Sequence, residues 1–185
     1  MDIDTANTVV GIGTALLNLA TVVLLIIYVA PSTIPQWLKP LFARAGLWGM
    51  FVVTAAASAI TLYYSEVLGA TPCGLCWLQR VFLYPQVVIF GIAAWKKDMS
   101  AWIYAVALSI LGALVALYQH YLQMGGYDAF PCPATGSAAD CTARTMFELG
   151  YITYPFMAFS LFIFIVLFLL VMRNIERRYP QGEVG

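Results

Sequence analysis

The sequence predicts an all-α integral membrane protein with five transmembrane helices, and three observations carry that reading. Of 185 residues, 62% are hydrophobic and only 10% are charged, whereas about a quarter of a soluble domain is charged. A chain this short has too much surface for its volume to hide that much apolar side chain from water. The nine basic and nine acidic residues fall so as to leave five long uncharged runs. The same figures exclude a disordered chain and, with no basic excess, a nucleic-acid-binding one.

The runs lie between Asp4 and Lys39, Arg44 and Glu66, Arg80 and Lys96, Asp98 and Asp128, and Glu148 and Arg173. A helix crossing the hydrocarbon core needs about 20 residues, which places spans at 8–30, 47–68, 75–95, 99–122 and 151–172. The first lacks a basic n-region and an A-x-A site, so it reads as a retained span rather than a cleaved signal peptide. Pro31, Pro35 and Pro40 break the helix after it. Trp37, Leu38, Leu41 and Phe42 fit either an amphipathic interfacial segment or a linker with anchoring residues. The third span must take in Arg80 to reach full length, and Pro85 should kink it and open space beneath its start. The tail from Arg173 reads as a short solvated end.

Lysine and arginine orient the spans. If the chain alternates, Lys39, Arg44, Lys96, Lys97, Arg173, Arg177 and Arg178 share one side, and Arg80 and Arg144 the other. That bias makes the C-terminus cytoplasmic and puts the N-terminus, the 69–74 turn and the 124–150 loop outside. All four cysteines, Cys73, Cys76, Cys132 and Cys141, are then at the outer face, and an even number there fits an oxidising compartment.

Three readings of the cysteines compete. A structural disulfide between Cys73 and Cys76 would close so short a loop that little unfolded-state entropy is removed. A four-cysteine zinc site wants two short hooks, and the eight residues between Cys132 and Cys141 make a poor second one. A redox relay has positive support. Thr71-Pro72-Cys73-Gly74-Leu75-Cys76 reads as a helix start, with Thr71 as N-cap and Pro72 first in the helix. Orphan N–H groups and the macrodipole there favour a thiolate, the species that attacks in exchange.

Two further residues stand out. Arg80 lies four after Cys76 on the same helix face, near the outer end of a span, where it needs a partner. A thiolate or a ligand head group fits, and so does snorkelling to the head groups or pairing with Glu66. His120, in Tyr118-Gln119-His120-Tyr121, lies at similar depth and fits either a functional or an interfacial role. Trp77, Phe82 and Tyr84 fit an interface belt or bundle packing, and a flat ring could stack among them.

Cys73-Gly74-Leu75-Cys76-Trp77-Leu78-Gln79-Arg80 at the start of a span, then His120, then a loop pair on the same side, resembles the DsbB family of bacterial disulfide-formation proteins, and most the smaller BdbC-like members. The resemblance covers roughly residues 47–172. In vitamin K epoxide reductase relatives the loop pair precedes the C-x2-C, so the order here favours DsbB. The resemblance implies a four-helix transmembrane bundle holding a quinone (ubiquinone or menaquinone), here with one additional N-terminal helix. It implies the pairs Cys73–Cys76 and Cys132–Cys141 as catalytic disulfides. Cys76 would touch the quinone, with Arg80 and His120 as cofactor-binding residues. Cys132 would form the mixed disulfide with a DsbA-like thioredoxin-fold oxidase, and Cys141 would pass electrons to Cys73.

Two departures stand beside it: the first span lies outside the four-helix core, and the loop-pair spacing is shorter than in the best-known members. The chain therefore divides into 1–46 (extra span and cytoplasmic loop), 47–172 (the bundle) and 173–185 (a cytoplasmic tail). The expected protein is a protein-dithiol:quinone oxidoreductase in the bacterial cytoplasmic membrane. A non-catalytic transporter subunit or receptor with stabilising disulfides is the rival from another class. A transporter usually carries ionisable residues near the midplane, and this chain has none there. A reductase running in reverse would use the same residues.

Overall fold

The computed structural model describes residues 2–30, 38–126, 132 and 140–178. The helices are α1 (Ile3–Val29), α2 (Leu38–Leu62), α3 (Gly74–Lys96), α4 (Trp102–Gln123) and α5 (Tyr154–Arg178). A π-helical turn, Tyr63–Val67, continues α2. All five are long and apolar enough to cross a membrane, and among the described residues the only β pairing is an isolated bridge between Glu148 and Ile152. The chain is an all-α, multi-pass membrane protein.

Helices α2 to α5 pack as neighbours in chain order, α5 returns to touch α2, and α1 lies against α5. The core is built of Met50, Leu83, Phe90, Phe162, Ile165 and Leu169. Helix α4 packs between α3 and α5 and buries the small residues Ala105, Ser109, Gly112, Ala113 and Ala116. Between helices in lipid, such small residues let backbones approach closely. A Cβ on Gly112 would collide with the Phe162 ring. The large apolar side chains left exposed on α1, among them Val9, Ile12, Leu16 and Leu19, lie where a bilayer would cover them.

Two expectations about the helix ends are corrected. Leu38, Pro40, Leu41 and Phe42 belong to α2 and form no separate interfacial segment. Pro40 is tolerated because the first turn has no internal partner for its missing N–H. Phe42 packs on Phe168 at 5.4 Å between ring centroids, so its role is bundle packing. Pro31, Pro35 and Trp37 lie outside the described residues. The solvated tail does not begin at Arg173 either. That residue is inside α5 and lays its guanidinium 3.8 Å from the Trp102 ring centroid, while Ile175 is buried with Leu24 and Val171.

Helix α3 continues through Pro85, and next to it Gln86 is buried, donating to the Phe82 carbonyl at 3.0 Å and accepting from the Ser109 hydroxyl at 3.2 Å.

Candidate redox site at one end of the bundle

The site grows from the start of α3. Cys73 is itself the N-cap, extended at φ −76° and ψ 174°, and its sulfur accepts the Cys76 N–H at 3.4 Å. Thr71 and Pro72 are therefore not the cap and the first helical residue, as their propensities predict. The sulfur satisfies one of the orphan N–H groups of the first turn, so the helix starts at Gly74, two residues later. The outcome places Cys73 where unpaired N–H groups and the helix dipole act on it directly.

Cys73 and Cys76 are both thiols in this structure, with sulfurs 2.9 Å apart. The disulfide expected between them is not formed, and the separation exceeds a bonded S–S by less than about an ångström. Cys73 is buried, whereas Cys76 is partly exposed; on the same helix Trp77 and Val81 face outward.

Gln119 on α4, only 1% exposed, points its amide nitrogen at both sulfurs, 3.0 Å from Cys73 and 3.3 Å from Cys76. Gln79 donates to the Gln119 carbonyl oxygen at 2.6 Å, which fixes which end of the amide faces the sulfurs. The side chain that faces the thiols is thus not His120 but its neighbour in sequence. The signal was periodicity: Ala105, Ser109, Gly112, Ala116, Gln119 and Gln123 recur at steps of three and four, one buried stripe of α4. His120 is one residue, and so about a quarter-turn, off that stripe. Its Nδ1 bonds the Thr153 hydroxyl at 2.9 Å and its ring packs on Phe156 at 5.2 Å, so its contacts are with α5 and the residue before it.

Arg80, 8% exposed, donates to the Thr61 carbonyl at 2.9 Å and to the Ser65 hydroxyl at 3.3 Å, with Trp77 5.1 Å away beneath the guanidinium. These contacts, rather than Glu66, hold it in place. Ser65 lies in the π-turn and Thr61 just before it. Two of five guanidinium donors are engaged in this way.

Cys132 and Cys141 are joined in a disulfide, with Cα atoms 5.9 Å apart. Cys141 is buried together with Cys73, Leu75 and Leu122, and Cys76 and Cys132 pack against that cluster. The short loop pair thus reaches the C-x2-C, and all four sulfurs share one end of the bundle. One bond ties the loop to α4, and two more are made within the loop itself. Gln123 donates to the Ala143 carbonyl at 3.1 Å. Asp140 accepts the Thr142 N–H at 2.9 Å and its hydroxyl at 2.7 Å, and these bonds hold its carboxyl below its ordinary pKa.

The sequence profile of a family described as disulfide bond formation protein DsbB matches residues 43–172. The chain belongs to the DsbB family. Among its relatives, a probable disulfide formation protein of Metapseudomonas resinovorans is 34% identical, covering 69% of this chain and 91% of its own length. Disulfide bond formation protein C of Bacillus subtilis is 35% identical over 69% of this chain and 92% of its own. A probable disulfide formation protein of Oceanobacillus iheyensis is 37% identical over 70% and 90%. No solved structure matches the chain. As a DsbB-family member it is a membrane protein of disulfide bond formation, and α1 precedes the residues that the family profile matches.

Proposed function

We propose that this DsbB-family protein is a thiol:quinone oxidoreductase that reoxidises an extracytoplasmic thioredoxin-like disulfide oxidase. The observation that carries it is the partly exposed Cys76 thiol, bonded on its inner side by Gln119, with the buried Arg80 one helical turn away and a loop disulfide against the same cluster. The fit to a quinone rests on that donor set. Cys76 is partly exposed near the start of a helix whose Trp77 and Val81 face outward, and Arg80 offers hydrogen-bond donors to a ring oxygen.

The electron balance is as follows. A partner thiolate attacks the Cys132–Cys141 bond, and as the partner's disulfide closes, two electrons and two protons pass to the loop pair. Exchange with an oxidised Cys73–Cys76 pair closes the loop bond again and leaves the inner pair as two thiols. Cys73 is buried in one cluster with Cys141, which fits it to exchange with the loop pair, and the more exposed Cys76 is left for the acceptor. A bound quinone would supply the final two-electron acceptor, leaving as quinol with both protons. Gln119 stabilises whichever sulfur carries charge, and Arg80 steadies negative charge beside Cys76. His120, held by Thr153, is a further candidate for contact with the ring.

The test is anaerobic mixing of the purified protein with quinone and a reduced thioredoxin-like oxidase. Loss of quinone absorbance in step with partner oxidation is expected, and Arg80→Lys should raise the KM for quinone because an ammonium lacks the planar fork of donors. No turnover with ubiquinone or menaquinone analogues would return the cysteines to a structural role. An unchanged KM in Arg80→Lys would reduce Arg80 to an anchor for the π-turn.

A further inference from the structure

Helix α1 precedes the residues matched by the family profile, yet it enters the bundle through a polar contact next to the redox site. Asn7 is buried, and its Oδ1 accepts two hydroxyls, Tyr64 at 3.0 Å and Tyr154 at 2.9 Å. The two rings meet edge to face at 5.2 Å. Tyr64 belongs to the π-turn that continues α2. The next residue, Ser65, bonds Arg80, and so does the carbonyl of Thr61, three residues before Tyr64.

Such a turn is uncommon and occurs mostly as a single-turn bulge in an α-helix. Here its own closing bonds are Leu68 N–H to the Tyr63 carbonyl at 3.1 Å and Ala70 N–H to the Tyr64 carbonyl at 2.9 Å. The Tyr64 hydroxyl ties that turn to α1.

We infer that Asn7 is a positioning residue for Arg80: it fixes Tyr64, Tyr64 fixes the π-turn, and the turn presents the Ser65 hydroxyl and the Thr61 carbonyl to the guanidinium. Helix α1 is then a brace for the quinone side of the site, an inference that rests on the proposed role of Arg80. Simple docking of α1 makes a different demand. Both tyrosines reach the same oxygen, but Tyr154 stands on α5, away from the anchors of Arg80. A docking contact would weaken equally on losing either hydroxyl, whereas the brace depends on Tyr64.

The experiment compares Asn7→Leu, Tyr64→Phe and Tyr154→Phe in the full-length protein, reading quinone KM and kcat and the hydrogen exchange of backbone amides 63–70. Asn7→Leu and Tyr64→Phe are expected to raise KM several-fold with little change in kcat and to speed exchange at the turn. Tyr154→Phe should do neither, and Asn7→Asp, which keeps an acceptor oxygen, should restore the parental KM. In an Arg80→Lys background Asn7→Leu should add nothing to KM, since both act through one guanidinium. Equal effects from the two tyrosine variants, or full additivity with Arg80→Lys, would overturn the coupling. If Asn7→Leu does not fold, the tyrosine pair still decides. If the parental protein reduces no quinone, the functional reading fails by itself, and exchange at the turn decides the brace: faster in Tyr64→Phe than in Tyr154→Phe supports it, and equal rates refute it.

Discussion

Gln119 illustrates what a single side chain contributes at this site. A primary amide buried in the bundle must have its hydrogen bonds made inside the protein. Its carbonyl is taken by Gln79 and its NH2 by two sulfurs, so it is oriented before any charge develops. A hydrogen bond to an ionised partner is worth about 1.5–3 kcal/mol, which corresponds to roughly one to two orders of magnitude in the thiolate population. Gln119→Leu, close in size and without donors, should therefore slow alkylation of the reduced Cys73–Cys76 pair at neutral pH by about that factor. Mass spectrometry of timed iodoacetamide reactions would measure it, and a rate equal to that of the parental protein would mean the amide serves packing alone. Neither glutamine stood out in the sequence, because an amide has no motif. Only its place on the stripe through Ala105, Ser109, Gly112 and Ala116 marks Gln119 as facing inward.

At the scale of helices, close approach decides the geometry. Helices α4 and α5 meet where Gly112 faces the Phe162 ring, and Phe162 is itself fully enclosed in the core. There is nowhere for the ring to go. Gly112→Ala should cost about 1–3 kcal/mol by overpacking and lower the thermal midpoint of the detergent-solubilised protein. It should also loosen the α4 register that carries Gln119. An unchanged midpoint would show that the interface has slack that the packing does not reveal. The element boundaries were legible to within a few residues wherever charges or glycines bracket an apolar run, as at Lys96 and Gly74. They were not legible at Leu38 and beyond Arg173, since local composition there is mixed. Those turns are helical because Phe42 stacks on Phe168 and Ile175 is buried with Leu24.

For the molecule as a whole, the four cysteines gather at one end, and Lys96, Lys97 and Arg173 lie at the other, where Arg173 caps the Trp102 ring. With the excess of basic residues at that far end, the positive-inside bias predicts that the cysteine end faces outward. Membrane-impermeant maleimide applied to intact cells after mild reduction should label Cys132 or Cys141. Labelling that appears only after lysis would invert the topology and remove the oxidising compartment the proposed reaction needs. The same layout brings the loop disulfide and the C-x2-C pair into one cluster, in which Cys73 is buried and Cys76 partly exposed.

The sequence by itself determined the membrane class, the five spans and the C-x2-C-x3-R motif that pointed to the DsbB family. Each of these is written in local composition or short spacing: an uncharged run of about 20 residues has few other fates, and residues four apart on a helix share a face. Tertiary structure alone decided that the sulfur of Cys73, not Thr71, caps α3, that Gln119 rather than His120 faces the thiols, and that Arg80 is anchored by the π-turn. It also decided that Asn7, 73 residues from Arg80 in sequence, stands one hydrogen bond from the π-turn that anchors that arginine. These depend on which helix faces meet, and facing is set by small residues packing across long sequence separations, which no local pattern records.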